Sequence, residues 1–328
     1  MKILVTGATG YVGSRLITRL LAEGHTVRAA LAGPYDADAL CWWEDVERVE
    51  MDVLETDEVD RAVAGVQAVY YLIHGLGGDD FVSTDRAAAQ NMATAVTRHH
   101  VARTVYLSGI VPSADPGELS DHISSRHEVE RILTDTSSTT VTLRAAILIG
   151  AASTSFEIVR QISDRLPVQT IPTWMDSDVQ PIAVVDALEA LVGALTVDTA
   201  SRSYDIGGPD LLSYGSLIRM YADVAGLTRI QVLMPLLPTA LVGTLAGQLT
   251  DVPRSTVQSL VESLHHDMVC AEDDFRTDLL PAGHRLLGLR DAIERALAPQ
   301  ATGLAGSELD PMGRLPQDPD WTAEPVDA

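Results

Sequence analysis

His122 and Arg126 stand four residues apart at the start of a candidate helix. A histidine can give or take a proton near neutral pH, which makes His122 a candidate general acid. Arg126 brings a permanent charge and donors suited to hydroxyl groups. Ser108, at the end of an apolar run, or Ser113 beyond it, is placed to polarise a carbonyl. His74 closes another apolar run and precedes Gly75, Gly77 and Gly78, a loop flexible enough to approach a ligand or close over it. Other constellations carry no chemistry. His99-His100 and His265-His266 are adjacent pairs whose side chains diverge on a helix, so they make poor metal ligands. Cys41 and Cys270 are too few for a disulfide framework or a structural zinc site, and no calcium-loop spacing or Gly-x-Ser-x-Gly elbow occurs. No metal is expected. Lys2 is the sole lysine, which leaves none for Schiff-base or general-acid work in the interior.

The most specific motif is Thr6-Gly7-Ala8-Thr9-Gly10-Tyr11-Val12-Gly13, between an apolar run and a helical pattern. Gly7 permits a tight turn, Gly10 lets backbone approach a pyrophosphate, and Gly13 lets the helix pack close to the strand. The helix amino terminus then offers free N–H groups to phosphates. Together these predict a dinucleotide site at Gly7, Thr9, Gly10, Tyr11, Val12 and Gly13. No acid follows the second strand, which ends Leu31-Ala32-Gly33-Pro34. Arg15, two residues past the last glycine, is the candidate for a 2′-phosphate, with Arg28 the lesser one. The cofactor expectation therefore leans to NADP, with NAD the alternative. Asp52 and Val53 are placed to meet the adenine, or Asp52 caps the next turn.

These groups must be carried by alternating strands and helices, the pattern of a parallel sheet built from βαβ units. Strands are predicted at 2–6, 26–31, 48–52, 68–73, 104–108 and 140–149. Helices are predicted at 11–23, 59–63, 83–99 and 124–134. The first helix places Val12, Leu16, Ile17, Leu20 and Leu21 on one face. This is an α/β fold, a doubly wound sheet over residues 1–150. Residues 151–298 read as a smaller substrate region over its carboxyl edge, with short strands at 168–171 and 203–206. Residues 180–200 are expected to pack back on the first domain. From Pro299 the chain reads as a flexible acidic tail.

The sequence has 328 residues, with 46 acidic side chains against 23 basic, for a net charge of -23. Such a field disfavours nucleic acid and anionic membrane surfaces, and no basic patch offsets it. Residues 230–249 form the one long apolar stretch, but Pro235 and Pro238 break it, so membrane insertion is not expected. With no secretory pattern at Met1-Lys2, the expected location is the cytoplasm.

In these residues the chain resembles the short-chain dehydrogenase/reductase superfamily, in its atypical, NmrA-like, NAD(P)H-binding branch. The resemblance rests on the TGATGYVG turn, Val69-Tyr70-Tyr71-Leu72-Ile73-His74, Asn91, Val105-Tyr106-Leu107-Ser108 and Leu143-Arg144-Ala145-Ala146-Ile147. Pro181 to Asp186 and Tyr204 to Gly208 continue it. It implies cofactor contacts from Leu72, Ile73, His74, Asn91, Ala146 and Ile147, and a homodimer as the assembly to test. In that family a Ser works with a Tyr and a Lys spaced YxxxK, the Tyr moving the proton. Here His122 and Arg126 stand at those positions, so the resemblance implies catalytic roles for Ser108, His122 and Arg126. The function expected is an NAD(P)-dependent oxidoreductase acting on a small or medium apolar ketone, enone or quinone. A conjugated substrate needs less of a dedicated acid, which suits the missing tyrosine. Two alternatives stand beside it: a dinucleotide-binding redox sensor that catalyses nothing, and non-redox chemistry such as epimerisation.

Overall fold

The computed structural model describes residues 1–33, 35–75, 80–113, 119–235, 238–301, 304 and 306–322. The chain opens with β1 (Lys2–Val5), α1 (Tyr11–Ala22), β2 (Thr26–Leu31), β3 (Glu47–Glu50), α2 (Thr56–Val63) and β4 (Ala68–Tyr71). It continues through α3 (Phe81–Arg98), β5 (Arg103–Gly109), α4 (Asp121–Thr134) and β6 (Thr139–Ala145). Ile3, Leu4 and Val5 are fully buried because a parallel strand with helices on both faces has no solvated side. Leu16, Ile17 and Leu20 bury the inner stripe of α1 against that sheet.

The rest comprises β7 (Leu148–Ile149), α5 (Thr154–Arg165), β8 (Val168–Pro172), β9 (Asp178–Val179), β10 (Ile182–Ala183) and α6 (Val184–Gly193). Then come β11 (Arg202–Ile206), β12 (Leu212–Ser213), α7 (Tyr214–Val224), β13 (Ile230–Met234), α8 (Thr239–Leu249) and α9 (Arg254–Ser263). Two helices close the series, α10 (Phe275–Asp278) and α11 (Leu289–Leu297).

Seven strands form one parallel sheet in the order β11-β6-β5-β4-β1-β2-β3. The chain reverses direction across the sheet between β1 and β4, the kind of switch point where α/β sheets bind ligands. The seventh strand, β11, corrects the expected division of the chain. Its residues fall in the stretch assigned to the smaller region, yet Tyr204 pairs with Leu143 in the main sheet. Tyr204 and Ile206 are fully buried there, and a strand carrying such side chains gains most at an open sheet edge.

The apolar stretch 230–249 divides into β13, which pairs with β8, and α8. Among the described residues no helix is long and apolar enough to cross a membrane.

The carboxyl-terminal segment is a second correction. Residues 306–322 are packed rather than loose: Met312 and Leu315 are buried, and the Asp318 carboxylate pairs with Arg15 of α1 at 2.8 Å. Gln317 donates to Ser14 Oγ at 2.9 Å, and Trp321 packs beside α5. The acidic composition misled because one carboxylate has a buried partner about three hundred residues earlier. Gly77, Gly78 and Pro325 lie outside the described residues.

Candidate functional site

The glycine turn is set by contacts that leave no room for side chains. Thr6 Oγ1 donates to Tyr70 O and accepts from Leu72 N–H, both at 3.0 Å, tying the ends of β1 and β4 together. Gly7 turns the chain at a φ of 63°. A Cβ on Gly13 would stand 2.1 Å from the Gly7 carbonyl oxygen. That collision is backbone against backbone, so no rotamer relieves it. Gly13→Ala is expected to cost ~1–3 kcal/mol of stability and to weaken NADH binding at least tenfold in a fluorescence titration. Unchanged affinity would refute this role. The first turn of α1 has no acidic residue and no side-chain cap, so its N–H groups are free to meet a phosphate.

One cavity of about 780 Å³ runs from this turn across the carboxyl edge of the sheet. Gly7, Thr9, Gly10, Tyr11, Val12 and Gly13 line its start, with Asp52 and Val53 beyond them. Leu72, Ile73, His74, Ala146 and Ile147 line the middle. Asn91 does not line it. Its Nδ2 donates to the Val53 and Leu54 carbonyls at 3.0 Å, so Asn91 holds the Asp52 turn from behind. Asp52 itself caps that turn, accepting from Leu54 N–H at 2.9 Å.

Arg15 does not serve as a phosphate ligand. Its guanidinium is buried, bidentate on Asp318, bonded to the Pro311 and Gly313 carbonyls, and 4.0 Å above the Tyr11 ring. Arg28 is also committed, to Glu47 and to the Ala62 and Ala64 carbonyls. Arg15 was the candidate for its place two residues past the last glycine, and Arg28 the lesser one for its place on the second strand. Their directions are set by partners on other elements.

Ser108, His122 and Arg126 line the same cavity. Ser108 ends β5, and α4 carries the other two on successive turns. Ser120 begins that helix by accepting from Ile123 N–H. Arg126 packs over Gly109, where an added Cβ would sit 3.5 Å from its Cδ. Ser108 Oγ is buried near Tyr106 and, among the described residues, meets no partner in hydrogen-bond geometry, so it is available to a ligand. Ser113 is exposed and is not among the lining residues.

Arg126 Nε–H donates to His122 Nε2 at 3.1 Å. That bond occupies the lone pair of the ring and requires its remaining proton on Nδ1. Burial, reinforced by the Arg126 charge, pushes the His122 pKa down to about 3. The ring is therefore neutral at pH 7, a hydrogen-bond donor and not an imidazolium acid. This corrects the expectation of His122 as general acid. His74 is held neutral too, well below the ordinary histidine range, first by desolvation and then by Arg126 and His122. Its ring lines the cavity and keeps exposed surface.

Asp85 was not foreseen as part of this site. From α3 its carboxylate accepts from Gly75 N–H at 2.7 Å and from Ser125 Oγ–H at 3.0 Å. It thus joins the His74 loop to the helix that carries Arg126. Burial raises its pKa. The signal in the sequence was an aspartate on the same helix stripe as Ala88, Ala89 and Met92.

Beyond the cluster the cavity widens between α5, α7, α8 and α9, where Ile162, Leu217, Ile218, Leu249, Leu260 and Val261 line it. No group of His, Cys, Asp and Glu side chains among the described residues could hold a metal ion.

The model of a family described as NAD(P)H-binding matches residues 7–172. The 40 kDa subunit of mitochondrial NADH-ubiquinone oxidoreductase from Neurospora crassa is 24% identical over 66% of this chain and 58% of its own length. A ketoreductase from Penicillium roqueforti is 25% identical over 53% of this chain and 56% of its own length. The chain thus spans a little over half the length of each. Among solved structures, a nucleoside-diphosphate-sugar epimerase from Staphylococcus aureus covers 90% of this chain and 100% of its own with a TM-score of 0.70 at 13% identity. The structure titled gox2253 covers 90% and 96%, with a TM-score of 0.68 at 22% identity. These two likenesses establish the fold.

Proposed function

Because the chain belongs to the NAD(P)H-binding family, in the atypical branch of the short-chain dehydrogenase/reductases, we propose that it is an oxidoreductase that reduces an apolar quinone, enone or ketone. One observation carries the reading. A single cavity places Ser108, His122 and Arg126 between the glycine turn and an apolar chamber.

The turn fits a dinucleotide, since its glycines form a cradle that Cβ atoms would fill. Gly7 to Gly13 and the first turn of α1 would hold the pyrophosphate, and Ala146 and Ile147 would wall the nicotinamide. When bound, that cofactor supplies the hydride. Arg126 stabilises the negative charge that develops on the substrate oxygen as the hydride is received. Ser108 Oγ–H donates to the same oxygen, and neutral His122 orients the guanidinium through its Nε2. None of these groups is a strong acid at pH 7. A quinone or enone spreads the incoming charge into a conjugated anion, which takes its proton from solvent on leaving the site, so it needs least from a protein acid. It is therefore the preferred class. Ile110, Ile123 and Ile147 line the cavity beside the cluster, and their low dielectric strengthens each of these interactions.

The cofactor reading shifts from NADP to NAD. With Arg15 and Arg28 committed elsewhere, Ala30, Ala32, Met51, Asp52 and Val53 line the adenine end, and none is basic. Among the described lining residues, the charged side chain a 2′-phosphate would meet there is the Asp52 carboxylate. NADH is expected to bind at least tenfold tighter than NADPH, and Asp52→Asn to narrow that ratio. Equal affinities in fluorescence titrations would refute the preference.

The chamber supports an enzyme over a sensor, because a sensor has no need of open space beyond the cofactor. It also weighs against a sugar nucleotide. Among the described residues lining the cavity, Asp52 and Arg126 are the only Asp, Glu, Lys or Arg, which leaves no pair of cations there for a second diphosphate. The deciding experiment follows NADH absorbance with menadione, chalcone and acetophenone in turn. NADH consumption with menadione or chalcone supports the reading. Tight NADH binding with no turnover of any of the three would return the sensor reading.

A further inference from the structure

We propose that the chamber beyond Arg126 holds the hydrocarbon tail of an amphiphilic substrate whose reducible head group sits at Ser108, His122 and Arg126. The placement of the head rests on the function proposed above, whereas the tail site stands on its own geometry. Charge is confined to one end of the cavity: Asp52 and Arg126 lie in the dinucleotide half, and among the described residues the chamber adds no Asp, Glu, Lys, Arg or His to the lining. Two of its polar side chains are already engaged within the protein. Gln169 donates to Ser163 Oγ at 3.3 Å, and Ser263 donates to the Ser259 carbonyl at 3.2 Å. A ligand rich in hydroxyls would find few partners here and lose its hydration, whereas methylenes lose nothing.

The chamber also has a mouth suited to such a molecule. Leu245 of α8 lines the cavity and is nevertheless 45% exposed, so the wall is open at that point. Leu241 lies one turn away at 46% exposure. A tail can thus enter beside α8 and run inward past Leu249 and Val261 toward Arg126. Such a site discriminates by chain length, at about fourfold in affinity per buried methylene.

The test uses the full chain and the neutral fluorophore phenylnaphthylamine, with butanol and dodecanol as competitors. Saturable binding displaced at least a hundredfold better by dodecanol than by butanol supports the assignment. Leu249→Trp fills the chamber from α8 and Ile162→Trp from α5, with thermal unfolding reporting which variants are folded. Either folded variant should bind the fluorophore at least tenfold more weakly. Leu233→Glu alters an apolar side chain on β13 that is 75% exposed and does not line the cavity, so binding should survive it. Absence of saturable binding, displacement independent of chain length, or loss with Leu233→Glu alone would overturn the proposal. Turnover separates the two readings. If fluorophore and dodecanol bind but no quinone, enone or ketone is reduced, the proposed reaction falls and the tail site stands. If menadione is reduced without chain-length-dependent binding, the tail site falls alone.

Discussion

Arg15→Ala is expected to lower the unfolding free energy by ~3–5 kcal/mol, the range for removing one partner of a buried ion pair. The side chains of Arg15 and Asp318 are 0% and 1% exposed. Once the guanidinium is gone, the Asp318 carboxylate keeps only its bond from Leu315 N–H, at 2.7 Å, in a place water does not reach. The Pro311 and Gly313 carbonyls lose their donor in the same step. Asp318→Ala should be comparably severe, because it strands the arginine. The paired replacement Arg15→Met with Asp318→Leu should recover much of the loss, since an apolar pair of similar volume avoids the desolvation of both charges. Urea unfolding of the three proteins checks this through their midpoints. A loss under 1 kcal/mol for Arg15→Ala would mean that residues 306–322 do not close on α1 in solution. The outcome also bears on the cofactor. If Arg15 bound a 2′-phosphate, its replacement would weaken NADPH selectively, whereas the ion pair predicts equal effects on NADH and NADPH.

Arg126→Met is expected to lower kcat for menadione by ~100- to 1000-fold, the usual cost of removing a preorganised group that meets developing charge. NADH affinity, read separately by fluorescence, should change far less. Arg126→Lys should restore part of the rate, because it returns the charge without the same geometry. Unchanged kcat in Arg126→Met would remove Arg126 from the proposed reaction.

Protonation offers an independent check on the same cluster. The pKa values of His74 and His122 are depressed in the folded protein, so the unfolded chain binds their protons first as pH falls. The His122 contribution to stability is complete above pH ~6.5 and is lost between there and its folded value of about 3. That proton contributes a slope of roughly 1.4 kcal/mol per pH unit within the window. His122→Phe should flatten the slope by one proton. Arg126→Met should raise the His122 pKa only in part, because burial is the larger cause of its depression.

Local signals account for what the sequence alone determined. The TGATGYVG turn, the run of strands and helices through β6, and the placement of His74 at the carboxyl edge rest on spacing within a few residues, whereas the grouping of Ser108, His122 and Arg126 rested on the family resemblance. A tight turn demands glycine, a buried strand demands continuous apolar residues, and a helix stripe repeats every third or fourth position. The neutrality of His122 was not legible, because burial and the bond from Arg126 exist only once α4 packs over Gly109. Nor was the role of Asp85, whose partners lie on a loop and on another helix. Arg15 illustrates the limit most clearly. Its position in sequence points to the phosphate, and its direction is decided by a carboxylate at position 318 that no local pattern reveals. The chamber belongs to the same class, since four helices that are each merely amphipathic enclose a cavity only through their mutual packing. Turns and periods are properties of short segments, whereas buried charge pairs and cavities depend on which distant segments meet, and only the tertiary structure decides that.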